Sequence, residues 1–139
     1  MLADYYYMEM VYGADTTTRT GDTVYGFNSN AGTYEGFALY DFATYGTAPA
    51  LTIFDSAGTD TLDASGYGQN QMINLEAGTY SDIGGLNNNI GIAHHALIEN
   101  AIGGSGNDTI NGNGLANLLK GNAGIDTLNG GAGDDTLDG

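Results

Sequence analysis

From Gly103 to Gly139 the chain repeats every nine residues: GGSGNDTIN, GNGLANLLK, GNAGIDTLN and GGAGDDTLD, with Gly139 opening a fifth unit. The sixth place holds Asp108, Asn117, Asp126 and Asp135, and the eighth holds Ile110, Leu119, Leu128 and Leu137. Glycines, acid and apolar residue recur together at one period, which a flexible Gly-rich linker does not require. The pattern G-G-x-G-x-D-x-U-x is that of calcium-binding parallel β-helices. Calcium is a hard cation that takes six to eight oxygens at roughly 2.3–2.6 Å. The turn must therefore aim backbone carbonyls inward, which glycine permits, and the aspartate adds charge. Thr-Ile or Thr-Leu then leaves the turn as a very short strand with its apolar residue inside. Two nonapeptides make one coil, and no coil has a core of its own, so coils must stack. Turns on the same side are two repeats apart: first with third, second with fourth.

Composition agrees with this reading and excludes others. The 139 residues suffice for one or two small domains, and 24 glycines with 1 proline make the chain turn-rich without being collagen-like. The net charge is −15, with Arg19 and Lys120 the only basic residues. Such a chain repels nucleic acid and anionic lipid, and bound cations would relieve its self-repulsion. The absence of cysteine excludes disulfides and thiolate zinc sites. No apolar run approaches the ~18 residues of a membrane span. The opening MLADYYYMEM has no basic segment followed by an apolar one, so it does not read as a Sec signal peptide.

Leu2–Tyr12 reads as a helix ended by Gly13, apolar or aromatic around most of its circumference. From Asp15 the pattern changes to short strands between turns, expected at Thr23–Tyr25, Phe37–Tyr40, Ala50–Phe54 and Met72–Leu75, with Leu97–Ile102 leading into the array. Asn28–Asn30, Tyr45–Pro49 and Gly84–Asn89 read as loops. Asp55–Asp63, DSAGTDTLD, carries the repeat pattern well before the array, with Gly58, Asp60 and Leu62 in the characteristic places. The expected fold is mostly β: a parallel β-roll preceded by a short-strand β region and one N-terminal helix. The expected division is 1–14, 15–102 and 103–139.

Several stretches together resemble the C-terminal half of serralysin-type metallopeptidases, secreted bacterial zinc proteases of the metzincin clan. They are Val11–Asp15, TRTGDTVYGFNS from Thr18 to Ser29, Phe54–Gly66, Asn74–Gly85, and Ile98–Ile110 with its IENAIGGSGND. The nonapeptides alone are shared with toxins, lipases and adhesins of the RTX group; the upstream motifs are far more specific. The resemblance implies calcium ligands beyond the repeats. One site would use carbonyls of Arg19, Gly21 and Thr23 with Asp55, Ala57 and Asp60. A neighbouring one would use Gly58, Asp60, the Leu97 carbonyl and Glu99. Ala57 and Leu97 stand where the family more often has Gly and Thr, which bears on geometry and not on ligand count. By resemblance to other RTX rolls, the first pair of repeats offers Gly104, Gly106 and Asp108 with Gly121, Ala123 and Asp126. The second offers Asn113, Leu115 and Asn117 with Gly130, Ala132 and Asp135. Asn117 there replaces a carboxylate by a neutral amide, so that site is expected to be the weaker.

Serralysins also carry H-E-x-x-H-x-x-G-x-x-H, and this chain does not. Its two histidines are the adjacent pair His94-His95, which cannot give the i, i+4 geometry of that zinc site and read as solvent-facing. Leu2–Tyr12 would match the last helix of the protease domain. The resemblance thus implies a fragment beginning past the catalytic centre and stopping inside the repeats, inactive by itself. It would bind several calcium ions, act with a protease domain in cis whose zinc lies outside this chain, and work outside the cell after type I secretion. The alternatives are a stand-alone RTX calcium-dependent adhesion or surface module, or the RTX module of another secreted enzyme.

Overall fold

Strands of two to five residues alternate with turns through the computed structural model, which describes residues 16–139. The helix expected over Leu2–Tyr12 lies outside those residues. The strands are β1 (Val24–Gly26), β2 (Leu51–Ile53), β3 (Thr61–Asp63), β4 (Met72–Asn74), β5 (Tyr80–Ser81), β6 (Ile90–Ile92), β7 (Asn100–Ile102), β8 (Thr109–Asn113), β9 (Leu118–Lys120), β10 (Thr127–Gly131) and β11 (Thr136–Asp138).

One wall of the roll is the five-stranded sheet β1-β3-β7-β9-β11, parallel at every step; the facing wall is β4-β8-β10, also parallel. The first repeat lies beside the third, Thr109 opposite Thr127, and the second beside the fourth, Leu118 opposite Thr136. A period of nine explains this: each nonapeptide supplies one strand and one turn, and the next strand in register comes two units later.

The core follows from the same register. Tyr25, Leu62, Ala101 and Leu119 stack residue on residue along one wall, and Ile73 and Ile110 along the other, all fully buried. Each buried Leu or Ile contributes roughly 2–3 kcal/mol of hydrophobic stabilisation, and the ladder sums them along the axis. It thins toward the C-terminal end, where Leu137 is 48% exposed. Because the five-stranded sheet carries β1, β3 and β7 as well as β9 and β11, the residues before 103 are already coils of the roll.

A third sheet, β2-β6-β5, closes the side of the leading part, with β2 and β6 parallel and β5 antiparallel to β6. Phe37–Tyr40 is not the strand expected. Glu35 and Gly36 both take positive φ, so Tyr34 and Phe37 face each other across a two-residue reversal, and the chain then enters a 3-10 turn at Phe42–Thr44 capped by Asp41. Phe42 is buried there against Phe27 and Tyr67.

Candidate metal sites in the turns

The residue just before each strand of the two walls forms a column. On one side it runs Thr23, Asp60, Glu99, Asn117, Asp135, immediately before β1, β3, β7, β9 and β11. On the other it runs Gln71, Asp108, Asp126, before β4, β8 and β10. Within a column every step but that from Glu99 to Asn117 has a backbone N–H donating to the carboxylate one coil further on. Thr23 donates to Asp60 Oδ1 at 2.8 Å and Asp60 to Glu99 Oε2 at 2.7 Å. Gln71 donates to Asp108 Oδ1 at 2.7 Å, Asp108 to Asp126 Oδ1 at 2.8 Å, and Asn117 to Asp135 Oδ1 at 2.9 Å. The acid of each turn is thereby anchored by one oxygen and directed toward the turn beneath it.

Around Asp108 and Asp126 oxygens converge. A methyl group on Gly103 would collide with Asp108 Oδ2 and stand 2.8 Å from the Gly121 carbonyl oxygen; one on Gly121 would collide with Asp126 Oδ2, and one on Gly124 with the Gly106 carbonyl oxygen. Asp126 Oδ2 is buried with no hydrogen-bond partner. A buried carboxylate oxygen without a donor is costly, and a cation drawing on these oxygens removes the cost. Burial pushes the Asp108 carboxyl above its ordinary range, against the N–H groups of Gln71 and Gly104, and the Asp126 charge adds to the rise. Among the described residues no group of three or more His, Cys, Asp or Glu side chains gathers to hold a metal ion. An ion held here would have main-chain oxygens as well as the two carboxylates within reach, a mixture that suits calcium.

The second pair repeats this arrangement with Asn117 in place of an acid and with Asn113 and Leu115 in place of two glycines. A methyl group on Gly112 would collide with Asn117 Oδ1 and the Gly130 carbonyl oxygen, one on Gly130 with Asp135 Oδ2, and one on Gly133 with the Leu115 carbonyl oxygen. Asn113 and Leu115 stand where glycine is usual, yet neither takes a positive φ, whereas Gly131 and Gly133 of the fourth repeat do, at 91° and 118°. The backbone cost that those two residues would bring at positive φ is therefore not incurred. Ala123 and Ala132 lie on exposed parts of the third and fourth turns.

In the leading coils the ligand set implied by the resemblance is brought partly together. The Gly21 carbonyl oxygen and Asp60 Oδ1 both lie over Gly58, 2.7 and 3.0 Å from where its Cβ would be, and Gly58 has a φ of 138°. Asp55 is buried and accepts from the Ala57 N–H at 3.1 Å and the Tyr25 hydroxyl at 2.5 Å. Burial and the Asp55 contact drive the Tyr25 phenol well above its usual range. Arg19 takes a φ of 50°, and its guanidinium lies 4.5 Å from the Tyr40 ring centroid and donates to the Phe54 carbonyl at 2.7 Å. Its side chain is thus committed to the aromatic layer, which leaves only its carbonyl for an ion. The Thr23 carbonyl already accepts the Thr61 N–H at 2.8 Å, and its hydroxyl donates to the Gly21 carbonyl. Glu99 joins Asp60 through its carboxylate, while Leu97 is 53% exposed.

Gln71 and Tyr25 escaped the sequence reading. Gln71 could have been found by its place just before an expected strand, 37 residues ahead of Asp108; Tyr25 gives no such signal. His94 and His95 are both exposed, and the His94 ring packs over Gly78.

The family model "Peptidase M10 serralysin C terminal" matches residues 14–138. The chain belongs to the serralysin C-terminal family. It is 50% identical over 119 residues to the serralysin of Proteus mirabilis, covering 86% of this chain and 23% of that protein. It is 54% identical over 103 residues to serralysin B of Dickeya chrysanthemi, 74% of this chain and 21% of that one. It is 48% identical over 113 residues to metalloprotease AprA of Pseudomonas entomophila (strain L48), 81% and 22% respectively. The chain thus spans less than a quarter of the length of these relatives. Among the described residues no helix is long and apolar enough to cross a membrane.

Proposed function

We propose that this chain is the calcium-binding C-terminal part of a secreted serralysin-like zinc metalloendopeptidase, folding on calcium after export and supporting a protease domain in cis. The observation that carries the reading is the buried, partnerless Asp126 Oδ2, on the carboxylate whose other oxygen accepts the Asp108 N–H, in turns lined by carbonyl oxygens. Bound calcium supplies positive charge to carboxylates that burial otherwise penalises. The chain does the rest: the column N–H groups fix one oxygen of each acid, the glycines admit the carbonyls, and the apolar ladder sets the coil spacing. With a net charge of −15, the unliganded chain repels itself, and ions that bind only the coiled state stabilise it by mass action. Low cytosolic calcium would keep it unfolded until type I secretion delivers it outside.

Circular dichroism of chelator-treated chain should gain β signal on addition of millimolar calcium; an identical spectrum in both conditions overturns the reading. The chain lacks H-E-x-x-H, so casein with zinc and calcium should be left uncut. Turnover that disappears on His94→Ala or His95→Ala would refute that.

A further inference from the structure

One step of the columns breaks their rule. At Thr23, Asp60, Gln71, Asp108 and Asn117 the backbone N–H donates to the next coil's acid, and the backbone carbonyl accepts the N–H that opens the next coil's strand: Thr61, Asn100, Thr109, Thr127 and Thr136 in turn. From Glu99 to Asn117 both links differ. The Glu99 carbonyl accepts the Asn117 side-chain Nδ2 at 2.8 Å, and the Leu118 N–H donates to Asn100 Oδ1 at 3.1 Å. Asn117 Nδ2 also donates to Asn113 Oδ1 at 3.0 Å, while Asn117 Oδ1 accepts the Asn113 N–H at 2.9 Å. The amide orientation is fixed by its partners: a main-chain carbonyl can only accept and a main-chain N–H can only donate. Asn117 is buried, so water does not substitute for these bonds.

On the calcium reading above, we infer that the Asn117 amide takes the place of a cation between the Glu99 turn and the 113–117 turn. Its NH2 group faces two oxygens there, while its Oδ1 faces the other way, toward the Gly130 carbonyl and the 117/135 turn pair. One side chain thus serves as a neutral plug on one side and a ligand oxygen on the other. Three hydrogen bonds donated by side-chain amides, besides the Leu118 N–H to Asn100, join this coil to the ones before it without an ion, since Asn113 Nδ2 also donates to the carbonyls of Leu75 and Ile98, at 3.2 and 2.9 Å. The ions on this side of the roll then fall into two groups, one on Asp60 and Glu99 and one on Asn117 and Asp135, with an ion-free step between them.

Asn117→Asp separates this from a plain weak-ligand role. The substitution sets a carboxylate oxygen against the Glu99 carbonyl and Asn113 Oδ1, a cluster of acceptors in which Asn113 Oδ1 keeps only the Leu115 N–H at 3.0 Å, and the expected result is one additional calcium per chain at saturation, counted by metal analysis after equilibrium dialysis. An unchanged count, with only the weaker class of sites tightening, overturns the inference and leaves the calcium reading standing. Absence of calcium binding by the parent chain would instead overturn that reading. A measurement on the unaltered, calcium-saturated chain holds even if the variant does not fold. The Asn117 side-chain NH2 protons should exchange with solvent at least about ten-fold more slowly than those of the exposed Asn87, and equal rates overturn the inference.

Discussion

The Asp108 N–H donates to Asp126 Oδ1 at 2.8 Å, so the residue that offers charge to one turn is itself held by the acid of the next. The two are 18 residues apart, two nonapeptides, and each precedes a strand of the same wall. A charged group is positioned here by the strand register, and the register by the apolar eighth place. On the calcium reading, ion binding and coil stacking would therefore be coupled mechanically: an error in one would displace the other.

Asp126→Asn tests the charge. The variant keeps an oxygen for the Asp108 N–H but puts NH2 where the partnerless Oδ2 now lies. Removing one of two formal charges from a calcium turn should weaken that class of sites by about ten-fold or more. Calcium titration should show this class loosening while the Asn117/Asp135 class stays put.

Asp60 makes the leading coils sensitive to pH. Burial raises its carboxyl from 3.8 to about 7, opposed by the Thr23 N–H and reinforced by Asp55, Glu99 and Asp22. A folded-state value above the unfolded one means the calcium-free coil gains stability as pH falls from about 7 toward 4 and loses it as pH rises through the same window. Circular dichroism of the chelator-treated chain should therefore show more β signal at pH 5 than at pH 8, and equal signal at both would mean that Asp60 does not govern the calcium-free coil.

The period of nine makes the pairing of β8 with β10 and β9 with β11 legible before any coordinates, because the spacing is constant and one face must be buried. The column ahead of the array is far less legible. Asp60 follows Thr23 by 37 residues and Glu99 follows Asp60 by 39, and the intervening loops obey no period. There the family motifs point to the acids, whereas the equivalence of Gln71 with Asp108 and Asp126 comes only from register. Phe37–Tyr40 misleads because an aromatic-rich run satisfies strand propensity, while Glu35-Gly36 just before it imposes a reversal. Asn117 is legible as a missing charge; that its amide also reaches back to Glu99 cannot be read from a pattern describing one turn at a time.

Arg19→Lys tests the aromatic layer beneath the first turns. The ammonium keeps the charge but loses the planar stack on Tyr40, at 4.5 Å, and the fixed Nη1 bond to Phe54. Stability of the calcium-loaded chain should fall by about 1 kcal/mol. Denaturant unfolding at saturating calcium measures it, and an unchanged midpoint would mean the stack contributes nothing net.

Two glycines of the array should respond in opposite ways to the same added methyl group. Gly124 has a φ of 128°, and its Cβ would overlap the Gly106 carbonyl oxygen, part of the Asp108/Asp126 turn pair. Gly114 has neither a positive φ nor any heavy atom within 4 Å of its Cβ position. Gly124→Ala should therefore cost about 3 kcal/mol or more through backbone strain and displacement of a candidate ligand oxygen. Gly114→Ala should be neutral or slightly stabilising, because it only reduces the freedom of the unfolded chain. The discriminating measurement is thermal unfolding in saturating calcium, followed by titration of each variant. The Gly124→Ala chain should lose both melting temperature and the tighter calcium class, and the Gly114→Ala chain neither. If Gly124→Ala lowered stability but left calcium affinity intact, the Gly106 carbonyl would be a packing group and not a ligand, and the Asp108/Asp126 ion would have to draw its oxygens from elsewhere in the turn.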